Sequence, residues 1–206
     1  MRAVPFLTTA VFAGLLALPT VAQNPPEATT TQLRGTVERL EGRTLMLNSR
    51  DGQKLTIALA PNLTVLGMAK TSVDDVLTGD YVTAIGVAGR GGKSQAVEVY
   101  VYPESLRGLR QGRTLSNGRP GGGLTTSGTV GTITKATDGQ VLHLNVTGGG
   151  ADYIVGSEVP VLTCVPGDAR LLKPGAAVYA TASKAPDGRI TVSQLIAEKD
   201  GIKPPF

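Results

Sequence analysis

The chain has 206 residues, with 20 Lys and Arg against 16 Asp and Glu, one His, one Cys and no Trp. That balance is too even for a nucleic-acid binder, and five tyrosines offer few faces on which single-stranded bases could stack. One histidine and one cysteine cannot supply the three or four ligands of an ordinary transition-metal site, so no cofactor is expected.

Residues 1–22 read as a secretory signal. Arg2 is a thin positive start, Val4 to Leu18 is mostly apolar, and Thr20-Val21-Ala22 offers a cleavage site after Ala22. The apolar run falls short of the about 20 residues that span a bilayer. No later stretch is long and apolar enough to do so. A periplasmic or secreted, non-membrane-spanning protein is therefore expected. Loss of Arg2 leaves 19 basic and 16 acidic residues, a net charge of +3. Cys164 is alone, so no internal disulfide supports the fold.

Residues 23–32, with Pro25, Pro26 and three threonines, read as a disordered leader. A first β domain is expected over 33–102. Its strands are Leu33–Leu40, Arg43–Asn48, Lys54–Leu59, Leu63–Gly67, Tyr81–Val87 and Gln95–Tyr102, and Asp51-Gly52 marks a hairpin. Ser72 and Asp75 stand at capping-box spacing and Gly79 can end a helix, so one or two helical turns lie between the fourth and fifth strands.

The 103–127 segment reads as an Arg/Gly-rich linker, with Arg107, Arg110, Arg113 and Arg119 against Glu104 alone. It is either a solvated connection or a basic contact surface for an anionic lipid or glycan. The spacing of Arg107, Arg110 and Arg113 would align them on one side of a helix.

A second β domain over 128–200 repeats the first, followed by a tail at 201–206. Its strands are Thr129–Thr134, Val141–Val146, Tyr153–Val155, Val159–Cys164, Ala177–Ala182 and Ile190–Ile196, with Asp168 capping its short helix. Gly35-Thr36-Val37 matches Gly131-Thr132-Ile133, Leu45 and Leu47 match Leu142 and Leu144, and Ile57 matches Ile154. Gly79, Val82, Ala84 and Val99 match Gly175, Val178, Ala180 and Leu195, and Cys164 falls on Gly67. A duplicated unit of about 70 residues means two copies of one small fold. The expected class is all-β: two tandem small OB-like or SH3-like barrels, each with one short helix, with a pair of flat sheets as the alternative.

Catalytic chemistry is hard to assemble. His143 alternates with Leu142 and Leu144, so it faces outward if they face the core. Cys164 lies in an apolar strand and reads as a small core residue. No Gly-x-Ser-x-Gly elbow exists, and Gly86 to Gly92 reads as a hairpin turn, not a phosphate loop. Asp74, Asp75 and Asp80 lack the calcium-loop pattern.

Gly35-Thr36-Val37, Leu77-Thr78-Gly79-Asp80-Tyr81-Val82 and Tyr102-Pro103-Glu104-Ser105-Leu106-Arg107-Gly108 form an ordered set. With Pro166-Gly167-Asp168, Leu172 to Val178 and Pro186-Asp187-Gly188, that set resembles the secreted bacterial family called domain of unknown function 5666. The resemblance implies a small, OB-like, often exported domain without established catalytic residues. The permease label that similar proteins sometimes carry does not suit a chain without membrane-spanning helices. Ala176-Ala177 stands where repeat one has Asp80-Tyr81, so any role of those side chains belongs to repeat one.

The expected function is that of an exported, non-enzymatic binding protein for a cell-envelope component. A scaffold that binds only a protein partner is the alternative, and an enzyme is the third reading. A soluble ligand calls for a cleft with convergent polar groups; a scaffold calls for an exposed apolar patch or open sheet edge.

Overall fold

A computed structural model describes residues 28–115, 123–137 and 139–205. The expected signal over 1–22, residues 23–27 of the expected leader, and Arg119 lie outside them. The fold is all-β. Its strands are β1 (Thr29–Glu41), β2 (Thr44–Ser49), β3 (Lys54–Thr71), β4 (Tyr81–Ala88), β5 (Ser94–Tyr102) and β6 (Gly112–Leu115). They continue with β7 (Leu124–Ala136), β8 (Gly139–Val146), β9 (Gly149–Val155), β10 (Val161–Pro166), β11 (Ala177–Lys184) and β12 (Ile190–Ala197).

Alternation decides which side chains go inward. Val37, Leu45, Leu47 and Ile57 are almost wholly buried, as are Val130, Leu142, Leu144 and Tyr153. Hydrogen bonding closes the strands into two circuits of five, in place of the flat sheets of the alternative reading. The first runs β1–β2–β3–β12–β11 and back to β1, and only β12 on β3 is parallel. The second runs β7–β8–β9–β5–β4 and back to β7, again with one parallel pair, β5 on β9.

Each circuit therefore takes three strands from one repeat and two from the other. Neither 33–102 nor 128–200, expected as separate units, closes a circuit from its own strands. One core gathers Leu33 to Val65 with Leu172 to Ala197, and another gathers Val76 to Val99 with Val130 to Val161. The crossing strands β3 and β10 pair antiparallel with Cys164 opposite Met68. A third cluster, including Met68, Tyr81, Tyr100, Tyr102, Leu162 and Tyr179, fills the space between the circuits.

The register also corrects the repeat alignment. Thr36 opposes Asn48 and Val37 opposes Leu47; Thr129 opposes Asn145 and Val130 opposes Leu144. Gly128-Thr129-Val130, not Gly131-Thr132-Ile133, thus holds the place in its circuit that Gly35-Thr36-Val37 holds in the other. Ile57 opposes Leu45 as Tyr153 opposes Leu142, so Tyr153, not Ile154, matches Ile57. Val161 opposes Val99 as Val65 opposes Leu195, so Cys164 corresponds to Met68, not to Gly67. The exchange obeys the same symmetry. Gly79 N–H donates to Val130 O and Val130 N–H to Asp80 O, both at 2.8 Å; Gly175 and Ala176 bind Val37 the same way at 2.9 Å.

Short 3-10 turns stand where the helices are expected. Val73–Asp75 is capped by Ser72, whose backbone N–H donates to Asp75 Oδ2 at 3.0 Å. Ala169–Leu171 is capped by Asp168, which accepts from Arg170 N–H at 2.8 Å. After each turn one apolar residue, Val76 or Leu172, is buried in the circuit that the next strand joins.

Two expected irregular segments are ordered differently. Thr29 to Gln32 of the expected leader belong to β1 and pair with Lys184 to Thr181, since β-branched threonines suit a strand. The expected linker holds a 3-10 turn at Glu104–Leu106, strand β6 against β7, and the start of β7. The helix that would align its arginines does not form.

Candidate functional site

The three described linker arginines point to three places. Arg107 donates from Nε to Glu104 at 2.6 Å, from Nη1 to Thr129 at 3.2 Å and from Nη2 to Gly79 O at 3.0 Å. Its guanidinium also lies 5.9 Å from the Tyr81 ring centre, so it fastens the segment to the second circuit. Arg113 donates to Gly150 O at 3.1 Å. Arg110, held in the left-handed region at φ 53°, turns instead toward the first circuit. The Tyr81 hydroxyl donates to Leu109 O at 2.8 Å and Gln194 Nε2 donates to Ser105 at 2.8 Å. These bonds hold 105–110 as a wall over β11 and β12, and Tyr81 is the repeat-one side chain that repeat two lacks.

A cleft of about 440 Å³ lies under that wall, lined by Gln32, Arg110, Tyr179, Thr181 and Gln194 among others. A second, of about 450 Å³, includes Gln32, Arg34, Arg50, Asp51 and Lys184. A third, of about 280 Å³, includes Arg34, Arg50 and Tyr179. They share walls in pairs: Gln32 lines the first and second, Arg34 and Arg50 the second and third, and Tyr179 the first and third. Together they are lined by five basic residues, Arg34, Arg50, Arg107, Arg110 and Lys184, and one acid, Asp51.

The centre is electrostatically tense. The Arg34 guanidinium sits 5.9 Å from the Tyr179 ring centre and donates to Gln32 Oε1 at 3.3 Å. Burial first, then the neighbouring Arg110 charge, lowers the Arg34 pKa. Arg50 lowers it further, opposed by Tyr179 and Asp51. Burial raises the Tyr179 phenol, opposed by Arg110 and Arg34. Guanidiniums crowded this way favour a carboxylate or phosphate among them, because each presents a planar fork of donors.

Among the described residues only the first circuit carries this arrangement. The cross-strand pair Arg34–Tyr179 corresponds by register to Ser127–Thr83, a buried hydroxyl pair at 2.7 Å. Sequence reasoning singled out Arg110 but missed Arg34, Arg50 and Tyr179. With the correct Gly-Thr-Val match, Arg34 against Ser127 and Tyr179 against Thr83 stand out as departures between the copies.

His143 faces outward as its alternation implies, half exposed, with Nδ1 2.6 Å from Asp152 Oδ1. Cys164 is half-buried, Sγ 3.9 Å from Met68 Sδ, and burial pushes its thiol up to about 12. All five tyrosines are buried and present no open ring. Among the described residues no three His, Cys, Asp or Glu side chains gather as metal ligands, and no helix is long and apolar enough to cross a membrane. No family model, curated protein or solved structure significantly matches the chain.

Proposed function

We propose that the protein is an exported, non-enzymatic binding protein whose ligand is an anionic envelope component held at Arg34, Arg50 and Arg110. The carrying observation is that Arg34 and Arg50 line two of the clefts, Arg110 lines the third, and the charges of both Arg50 and Arg110 act on Arg34. Half-buried Arg34 and Arg110 beside exposed Arg50 suit a discrete charged group, and the cluster's confinement to one circuit separates it from the scaffold that both circuits share. We read each circuit as an OB-like barrel: counted as β1, β2, β3, β11, β12 and as β7, β8, β9, β4, β5, the strands stand in the order 1-2-3-5-4 with a parallel 3–5 closure. The signal-like start over 1–22 and the resemblance to the domain of unknown function 5666 family support export.

The test separates an envelope extract into protein, glycan and lipid fractions and measures binding of the full chain at low and physiological salt. One fraction should bind, more tightly at low salt. The Arg34→Gln, Arg50→Gln, Arg110→Gln triple variant should lose at least about 100-fold in affinity, since each charge-assisted bond contributes about 1.5–3 kcal/mol. No binding in any fraction, or equal binding by the variant, refutes the reading.

A further inference from the structure

Comparison of the circuits exposes a difference in strand pairing beside the arginine cluster. In the second circuit, the first half of β7 is paired on both edges. Leu124 to Ser127 bond β4 on one side and β6 on the other, with Gly112 opposite Ser127 and Leu115 opposite Leu124. The rest of that second edge is taken by β8 from Thr129 onward. In the first circuit β1 pairs β11 over Thr29 to Thr36, but β2 pairs its other edge only from Gly35 onward. Arg34 O is taken by Arg50 N–H at 3.1 Å. Among the described residues, no strand covers the β2-side edge of Thr29 to Leu33.

By register, Thr31 to Arg34 are the counterparts of Leu124 to Ser127. The place that β6 fills in one circuit is therefore an open edge in the other. The 450 Å³ cleft lies along it. Its basic side chains are Arg34, Arg50 and Lys184, against Asp51, and half-buried Leu55 and Ile190 line it as well. A backbone edge, cationic walls and an apolar floor together suit an extended peptide whose side chains alternate between acidic and apolar.

We propose that the ligand is an acidic, extended polypeptide segment that adds as a strand to the Thr29–Leu33 edge of β1, as β6 adds to β7. This rests on the anion-binding reading above and narrows it from any anionic component to a peptide. Main-chain hydrogen bonds hold the segment, carboxylates meet Arg34, Arg50 and Lys184, and apolar side chains cover Leu55 and Ile190. A lipid surface or glycan uses the charges but has no use for the edge.

The probe is a ten-residue peptide alternating Glu with Val, titrated into the full chain by calorimetry. Hydrogen exchange is read at Thr29 to Leu33. The peptide should bind and slow exchange of alternate amides there. A Lys-for-Glu peptide, or one N-methylated along a single edge, should bind at least 10-fold more weakly, and Arg34→Gln with Arg50→Gln should weaken the acidic peptide similarly. Binding that leaves those amides unprotected, or that survives N-methylation of each edge in turn, overturns strand addition. If polygalacturonate or phosphatidylglycerol vesicles bind through Arg34 while the peptide does not, the peptide inference fails and the anion-binding reading stands. If no probe binds, both fail.

Discussion

Four buried tyrosines and one half-buried thiol give the protein a pH signature. Burial pushes Cys164 up to about 12 from 9.0 and Tyr81 up to about 12 from 10.0, and raises Tyr102, Tyr153 and Tyr179 as well. In the unfolded chain these groups ionise near their ordinary values, while the folded chain keeps their protons. Between the two sets of values the unfolded state binds fewer protons, so stability falls as pH rises. Their stabilising contribution is complete below about pH 8 and is lost progressively above the ordinary values, toward the folded ones. Urea midpoints should be level from pH 7 to 8 and fall between pH 9 and 11, with Cys164→Ala flattening the earliest part of the fall. Cys164 in the native protein should also resist thiol reagents at pH 8 until the chain is unfolded. A midpoint unchanged at pH 11, or immediate labelling at pH 8, contradicts this account.

Elements were legible in the sequence where periodicity is local, and illegible where the partner is distant. Leu45 and Leu47, Leu142 and Leu144, and the caps at Ser72 and Asp168 announce their strands and turns through side chains within a few residues. Strand β6 was not legible: Gly112 to Leu115 has no inward apolar set, and its backbone bonds to β7 create it. Nor could composition show that Arg110 and Arg50 both act on Arg34. The misplaced Gly-Thr-Val match hid the departure of Arg34 from its counterpart Ser127. The equivalence of Gly35 and Gly128 has a mechanical cause. A Cβ on Gly35 would collide with the Asn48 carbonyl oxygen of β2, and one on Gly128 with the Asn145 carbonyl oxygen of β8. Both strands therefore need a glycine where they approach the next. Gly35→Ala and Gly128→Ala should each cost about 1–3 kcal/mol, as other overpacked sites do. Denaturant unfolding of the two variants measures this, and wild-type midpoints would show that the strands can part without cost.

At the scale of the whole molecule, the likeness of the two circuits makes pairing ambiguous. Val37 can accept from a glycine after its own repeat's 3-10 turn or after the other's, and both repeats offer the same groups. Alternation identifies a buried face but does not say whose strand lies beside it. The exchange is set instead by β3 and β10, which run past each other through Met68 and Cys164 and deliver each repeat's last two strands to the opposite circuit. This has a consequence for cleavage that two self-contained tandem domains would not share. A protease site placed between Leu115 and Leu124 divides the chain into one piece with β1 to β6 and another with β7 to β12. Each circuit then contains strands from both pieces, and separating them would expose Leu45, Leu47 and Ile57 in one core and Leu142, Leu144 and Tyr153 in the other. Exposing even one such side chain costs about 1.5–3 kcal/mol. The nicked protein should therefore elute from a sizing column at the position of the intact chain, and the pieces should part only in denaturant. Elution as two folded fragments of half the mass would mean that each repeat closes on itself in solution and that the exchanged strands are not the native pairing.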